Sequence, residues 1–590
     1  MNVNHQEITM QNSHNLLKNQ VIFGRTAFAV SLFIALTIVM TWPLTLHINN
    51  SVIGWVGDNF YFVWLIGWFQ KSIFVLHHLP LSVPTLNYPE GWNIAYNEMT
   101  PVMVIIALPV SLIGGPALGY NFSTMLSFVL SGLGVYLWVR HLTKNTSASL
   151  IAGTIFAFAP YRMSHIYGHL NLMGTQWFPF YFMSLSNLIE TPRRSWKTIV
   201  FAAMFLGLIG LTSQYYLYMT LIVTVIYLFG YWFFFDRKLL LQFDFWKRFG
   251  VFVLISLPIV MLSVMPYLHL AAQQNMPLRS IEEVRVWSAS LTDFLLPSPR
   301  HFMIGEWIAK HFNRKLWIEN TQYLGVVPLI LVVFAFIKRK QVTLINNHIV
   351  MILVFTGVFS VLLAMGIDLH WLGQSVKVSV PQLLQRWHPY PETTIPLPGY
   401  FLFKFLPFYA GMRVWMRYGI FVSLFVSVLA GIGVAYLLRR LNQPLTKLVF
   451  GVIMLLVFVD FYPGVQPLSR ISGRSIDIWL ASKAGQEAVV QFPFSQVTQP
   501  QYTYYTLVHN KPFVGGFFAA FSPPQFRRIQ PILNSFPDFR SIEILRDLGV
   551  RWVIVDSTHY DNFEQIQGVI ESLGLHLLGI IDGQFVYELR

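Results

Sequence analysis

Long apolar runs alternate with short polar segments from residue 23 to residue 461. They predict membrane-crossing helices near 23–43, 119–140, 147–162, 173–190, 198–214, 216–235, 249–267, 321–337, 345–366, 416–438 and 445–461. Several fall short of the roughly 20 residues a straight crossing helix needs, so these are expected to extend into flanking polar sequence. The first run, Ala27 to Trp42, has no small-residue cleavage site before the hydrophobic sequence that follows, and reads as a retained span instead of a cleaved signal. Beyond residue 461 the texture changes. Strand-like runs at Ala488 to Phe492, Arg551 to Val555 and Gln584 to Leu589, with a helix-like Ser541 to Asp547, predict a small α/β domain with a modest core of its own.

Basic residues give the threading a direction. Arg140 and Lys144; Arg193, Arg194 and Lys197; Arg237, Lys238, Lys247 and Arg248; Lys338, Arg339 and Lys340; and Arg439, Arg440 and Lys447 all fall in alternate short loops, which the positive-inside bias assigns to the cytoplasm. The expected architecture is a polytopic α-helical membrane protein of about eleven transmembrane helices. A cytoplasmic tail 1–22 precedes a transmembrane domain 23–461, whose outer loops are 44–118, 268–320 and 367–415, and an extracytoplasmic α/β domain occupies 462–590. Within the first outer loop, Phe60 to Leu79 combines tryptophans with Lys71, His77 and His78, a mixture suited to a helix in the headgroup layer or packed on the outer surface. The apolar stretch Val102 to Ile113 suits a re-entrant element, or one of an extra pair of spans with 60–79.

Composition narrows the class. The chain is 55% hydrophobic and 11% charged, with a mean hydropathy of +0.53, against about 25% charged in soluble domains. Its formal charge of +14 sits beside the apolar runs and not in a groove or basic tail, so a membrane partner is expected and nucleic acid is not. With no cysteine, disulfides and thiolate chemistry are excluded. HExxH, GxGxxG and GxxxxGK patterns are absent, and no metal site or cofactor is expected.

The candidate chemistry lies in the outer segments. Asp58, in Val-Gly-Asp-Asn-Phe, can serve as a general base for a sugar hydroxyl or simply cap a turn. Glu98, before the apolar run at Pro101, can orient an acceptor, share a metal with Asp58, or complement a helix dipole. His165 and His169, four residues apart, share a face if helical, and Arg162 beside them can clamp a phosphate. Arg413 and Arg417 stand against the inside bias of the other basic residues; on one helical face they can hold a phosphate or diphosphate, and the alternative is snorkelling to headgroups beside Trp415 and Tyr418. Glu319 is expected close to the bilayer surface, whereas Glu282 and Glu283 suit a solvated loop helix.

Over residues 30 to 460 these features together resemble the GT-C superfamily of polytopic membrane glycosyltransferases. The matching pieces are Thr41-Trp42-Pro43, Gly57-Asp58-Asn59, Tyr88-Pro89-Glu90-Gly91, Phe158 to Arg162 running on to His165 and His169, Glu319 to Gly325, Leu397-Pro398-Gly399, and Arg413 to Arg417. The resemblance implies a polyprenyl-phosphate-linked sugar donor, a glycan, lipid or protein acceptor, and a catalytic acid residue that maps onto Asp58. Many relatives carry adjacent acidic residues there; Asp58-Asn59 departs from that and favours a metal-independent mechanism. The rival expectations are a transporter or flippase, with its ligand near the midplane, and a noncatalytic envelope assembly protein that binds a partner through the tail around Gly515 and Gly516.

Overall fold

The computed structural model describes residues 23–190, 196–272, 278–313, 315–340, 347–381, 390–519 and 521–589. The expected tail 1–22 and the basic pair Arg193 and Arg194 lie outside them.

Each predicted apolar stretch carries a helix, but among the described residues seven, not eleven, are long and apolar enough to cross a membrane. These are Phe23–Met40, Pro116–Thr143, Gln214–Phe234, Phe243–Leu270, Asn347–Ala364, Met416–Leu438 and Gln443–Phe461. The other four, Thr146–Ala157, Trp177–Glu190, Trp196–Thr212 and Val326–Lys338, have 12, 14, 17 and 13 residues. At about 1.5 Å per residue, the shortest reaches roughly 18 Å of a ~30 Å hydrocarbon core. Local chemistry stops them where hydropathy alone does not. Ala159 precedes Pro160, which disfavours continuation of the helix, and a separate helix, Pro160–His165, starts on that proline. At Val326 the chain enters its helix through Gly325, at φ +87°. Asp460, from the Gln443–Phe461 helix, accepts hydrogen bonds there from Val327 N at 3.3 Å and Tyr323 Oη at 2.6 Å, capping the helix start from outside.

The tail forms a four-stranded sheet in the order Leu575–Ile581, Gln584–Leu589, Val550–Asp556, Ala488–Phe492. Gln584–Leu589 runs antiparallel to both of its neighbours, and Ala488–Phe492 runs parallel to Val550–Asp556. This sheet is not a separate lobe. Ser51–Ile53 pairs antiparallel with Leu468–Arg470, Asn87 N donates to Gly515 O at 2.9 Å and Tyr88 N to Phe513 O at 3.2 Å. One hydrophobic core runs from Phe60, Trp64 and Met103 through Tyr504 and Phe513 to Val553 and Tyr587.

That shared core alters the reading of Phe60 to Leu79. The helix Asp58–Phe74 buries Phe60, Tyr61, Trp64 and Trp68. Trp64 Nε1 donates to Thr506 Oγ1 of the tail at 3.0 Å, and a Cβ on Gly67 would meet Leu507 at 2.5 Å. This is a packing helix, and only its last turn and the following residues 73–79 are exposed. The Val102 to Ile113 stretch forms the helix Pro101–Gly114, packed against Asp58–Phe74 and Pro116–Thr143.

The long loops expected on one side of the membrane touch one another. Phe302 N donates to Tyr462 O, Arg279 N to Ala410 O, and Arg285 Nε to Asp368 Oδ2. They therefore gather at one end of the helix bundle.

Candidate active site

At the loop end a single cavity of about 620 Å³ receives side chains from distant parts of the chain. Asp58, Glu98, His169, Glu319, Arg413 and Arg417 all line it. Arg162 and His165 do not.

Asp58 is the first residue of its helix, and its orientation is fixed by its neighbour. Asn59 is fully buried; its Nδ2 donates to Ile53 O at 3.2 Å and Trp55 O at 2.9 Å, while its Oδ1 accepts from Gly57 N at 3.1 Å and Phe60 N at 3.0 Å. Asn59 thus uses both ends of its amide inside the turn, which leaves Asp58 alone to face the cavity. An aspartate at 59 would lack the two donors.

Burial pushes the Asp58 carboxyl up to about 6, against the pull of the Arg417 and Arg413 guanidinium groups. His169 Nε2 lies 3.8 Å from Asp58 Oδ2, beyond hydrogen-bond reach. Burial, reinforced by the adjacent His165 ring, lowers His169 to about 3, so its imidazole is neutral at physiological pH. Burial also raises the Glu98 carboxyl.

Glu319 behaves in the opposite way. Burial alone would raise its carboxyl, but Arg417 and His165 hold it well below the ordinary range. Arg417 grips it with both Nε and Nη2, at 3.1 Å and 2.6 Å to Oε1, and His165 Nε2 stands 3.2 Å from Oε2. His165 Nδ1 is 2.7 Å from Tyr161 O. The two arginines therefore differ. Arg417 is neutralised by a buried carboxylate, whereas Arg413 lies over the Trp287 ring at 5.0 Å and forms no ion pair among the described residues. Nor do they share a helical face: Arg413 lies in the link after Tyr409–Gly411, and Arg417 in the 3-10 turn Met416–Tyr418.

The geometry corrects two expectations. Arg162 is 0% exposed; its Nη1 donates to Ala157 O at 2.6 Å, its Nη2 to Ser127 Oγ at 2.9 Å, and it packs over Phe128. It ties the broken end of the Thr146–Ala157 helix to its surroundings and cannot clamp a ligand. His165 backs Glu319 from behind the wall. The His165–His169 spacing is that of one turn, His169 N donating to His165 O, but the helix ends at His165 and only His169 turns inward.

The sequence reading overlooked Arg279, Lys315, Trp287 and Asn171, all of which line the cavity. Arg279 and Lys315 carried the same signal as Arg413, a basic residue outside the short basic loops; Asn171 carried none. Among the described residues no three His, Asp or Glu side chains group to hold a metal ion. Glu319 is committed to its ion pair with Arg417 and Asn59 to its turn.

The polar end is half of the cavity. Leu217, Leu221, Val260, Met261, Val264 and Leu268 extend it as an apolar cleft between the Gln214–Phe234 and Phe243–Leu270 helices. Leu221 and Met261 are exposed, so the cleft reaches the surface that faces lipid.

The chain is a polytopic helical membrane protein with a polar cavity beneath gathered loops, and solved structures share its fold. Archaeal oligosaccharyltransferase AglB from Archaeoglobus fulgidus, in complex with an inhibitory peptide and a dolichol-phosphate, matches with a TM-score of 0.52 at 11% identity, over 97% of this chain and 74% of that one. ArnT from Cupriavidus metallidurans bound to undecaprenyl phosphate gives 0.50 at 11%, over 95% and 98%. The arabinofuranosyltransferase AftD from Mycobacteria gives 0.56 at 14%, over 96% of this chain and 41% of that one. At such identities the likeness shows the fold alone. By sequence, the chain belongs to the family described as a domain of unknown function (DUF6311), whose model matches residues 21–389. None of the curated proteins matches it.

Proposed function

We propose that this protein transfers a sugar from a polyprenyl-phosphate-linked donor to an acceptor on the extracytoplasmic face of the membrane. The observation that carries this reading is the joining, in one cavity, of an ionisable carboxylate and an unpaired guanidinium to an apolar cleft between two spans. An amphiphile with an anionic head and a hydrocarbon tail fits that combination. The dolichol-phosphate of the AglB structure and the undecaprenyl phosphate of the ArnT structure are ligands of this kind.

In the reaction, the phosphate rests against Arg413, with Lys315 at the same wall, and the isoprenoid lies along the cleft. Asp58 takes the proton of the acceptor hydroxyl as that oxygen bonds to the anomeric carbon. The anomeric carbon–oxygen bond to phosphate breaks on the opposite face, the electron pair stays on the phosphate, and Arg413 stabilises the charge it gains. Inversion follows from attack opposite the leaving group. Arg417, already neutralised, shapes the field at Asp58.

Purified protein in lipid nanodiscs, incubated with a panel of radiolabelled polyprenyl-phosphate sugars, tests this. Sugar release that Asp58→Asn abolishes in folded protein is the expected result. No turnover and no binding of any lipid-linked sugar would overturn it.

A further inference from the structure

Beside Asp58, and outside the cavity lining, stands a tryptophan that the reaction above does not use. Trp55 is 52% exposed although its ring is held on several sides. It stacks on Tyr167, with centroids 5.6 Å apart and planes inclined by 17°, and meets Trp317 edge-on at 6.4 Å. Tyr167 is itself braced edge-on by Trp317 at 5.1 Å, and its hydroxyl donates to Gln466 Oε1 at 2.5 Å.

The backbone is shaped to make this possible. Gly54 sits at φ +100°, and a Cβ there would meet Tyr167 O at 3.0 Å. Only glycine lets the chain run close enough to Tyr167 for the next side chain to stack on it. Asn59 then bonds the Trp55 carbonyl on one side and the Gly57 amide on the other, so the indole and the Asp58 carboxylate hang from one stapled turn. Trp317 completes the link, because it lines the cavity as well as bracing the ledge. The Arg300 guanidinium carbon lies over the Trp55 ring, 5.6 Å from its centre, and places a cation against the indole.

A half-exposed indole held rigid by a glycine, an amide staple and two aromatic neighbours costs little further entropy when a flat apolar face is laid on it. Pyranose rings present such a face through their axial C–H groups, with hydroxyls at the rim for a guanidinium to bind. We propose that Trp55, with Arg300, forms the acceptor subsite, and that the acceptor is a saccharide whose ring stacks on the exposed indole face and directs a hydroxyl towards Asp58. This deepens the transferase reading and rests on it.

The experiment separates the two. Protein in nanodiscs is titrated with short neutral hexose oligomers, followed by saturation-transfer NMR, and separately with undecaprenyl phosphate, for the wild type, Trp55→Ala, Trp55→Phe and Arg413→Gln. The oligomers are expected to bind weakly, with affinity about tenfold lower in Trp55→Ala and largely kept in Trp55→Phe. Undecaprenyl phosphate is expected to bind Trp55→Ala as it binds wild type, and Arg413→Gln more weakly. Trp307→Ala, which removes an exposed tryptophan of the 268–320 loop, leaves oligomer binding unchanged.

Equal oligomer affinity in wild type and Trp55→Ala overturns the saccharide ledge, as does an absence of oligomer binding while the lipid phosphate still binds. A loss of bilayer depth at position 55 without a change in saccharide affinity overturns it too, making Trp55 a headgroup anchor. Failure of undecaprenyl phosphate to bind counts against the transferase itself.

Discussion

Asp58 and Glu319 are both carboxylates in one cavity, yet they are held in opposite charge regimes. Burial lifts Asp58 to about 6 against the pull of Arg417 and Arg413, neither of which hydrogen-bonds it, while Arg417 and His165 drive Glu319 far down. A base must be ionised to act, so transfer is expected to rise with pH through about 6 and level off above it, in a pH–rate profile of the wild type. Asp58→Asn is expected to lower the rate by roughly 10²–10⁴-fold. The sign of its stability effect follows from the same shift. A carboxyl raised in the folded state costs stability when ionised, above about 6, and costs none once both states are protonated. Thermal melts of Asp58→Asn should therefore match or exceed wild type at neutral pH, the two converging as the pH falls towards the ordinary carboxylate range.

The arginines divide by the same logic. Glu319→Gln leaves the Arg417 guanidinium buried and unpaired, a change that costs about 3–5 kcal/mol and is expected as a large fall in melting temperature. Arg413→Gln removes no ion pair and should leave the melt unchanged while weakening lipid-phosphate binding. The sequence exposed the residue types but not this division. Arg413 and Arg417 both break the inside bias; which one has a carboxylate is decided by Glu319, close to a hundred positions away in the chain. Arg162 failed for a related reason: nothing in Pro-Tyr-Arg tells that its partners are the carbonyl of Ala157 and the hydroxyl of Ser127.

At the scale of elements, hydropathy located every long helix but overstated how many cross. Thr146–Ala157 and Val326–Lys338 are cut short by a proline and by an outside cap, features that an averaged window absorbs. Short helices are held by close contact. A Cβ on Gly433 would meet Leu331 O at 2.2 Å, so the Gly419–Leu438 and Val326–Lys338 helices pack backbone to backbone at that point. Gly433→Leu must part them, and its yield of monodisperse protein in detergent is expected to collapse, whereas Gly451→Leu, where a Cβ meets nothing within 4 Å, is expected to behave as wild type. The Phe60 to Leu79 segment teaches the converse. Its tryptophans have the composition of an interfacial helix, and only the tertiary partner, Tyr504 to Leu507, turns them into core.

For the whole molecule, the expected boundary at residue 462 separates two textures of sequence; Ile476, Leu480, Val489, Trp552, Ile554 and Val586 form a cluster within the tail, but a second, larger core crosses the boundary. Phe60, Met103 and Leu170 share one apolar cluster with Val490, Phe513 and Val553. Deleting 462–590 therefore uncovers Trp64 and Trp68, and the truncated bundle is expected to aggregate on size exclusion instead of eluting as a stable membrane domain. The same contact seats Phe517 and Phe521 in the cavity wall, so even a soluble truncation would lack part of the site.

That shared core also orders events during synthesis. The helix that begins at Asp58 leaves the ribosome long before the surface it must cover, around Thr506 and Val553. Until then two indoles and a row of phenylalanines wait unburied at the bilayer edge. The nascent protein therefore passes through a stage with apolar surface uncovered, and its cavity is complete only when the sheet of the tail has closed over the first outer loop.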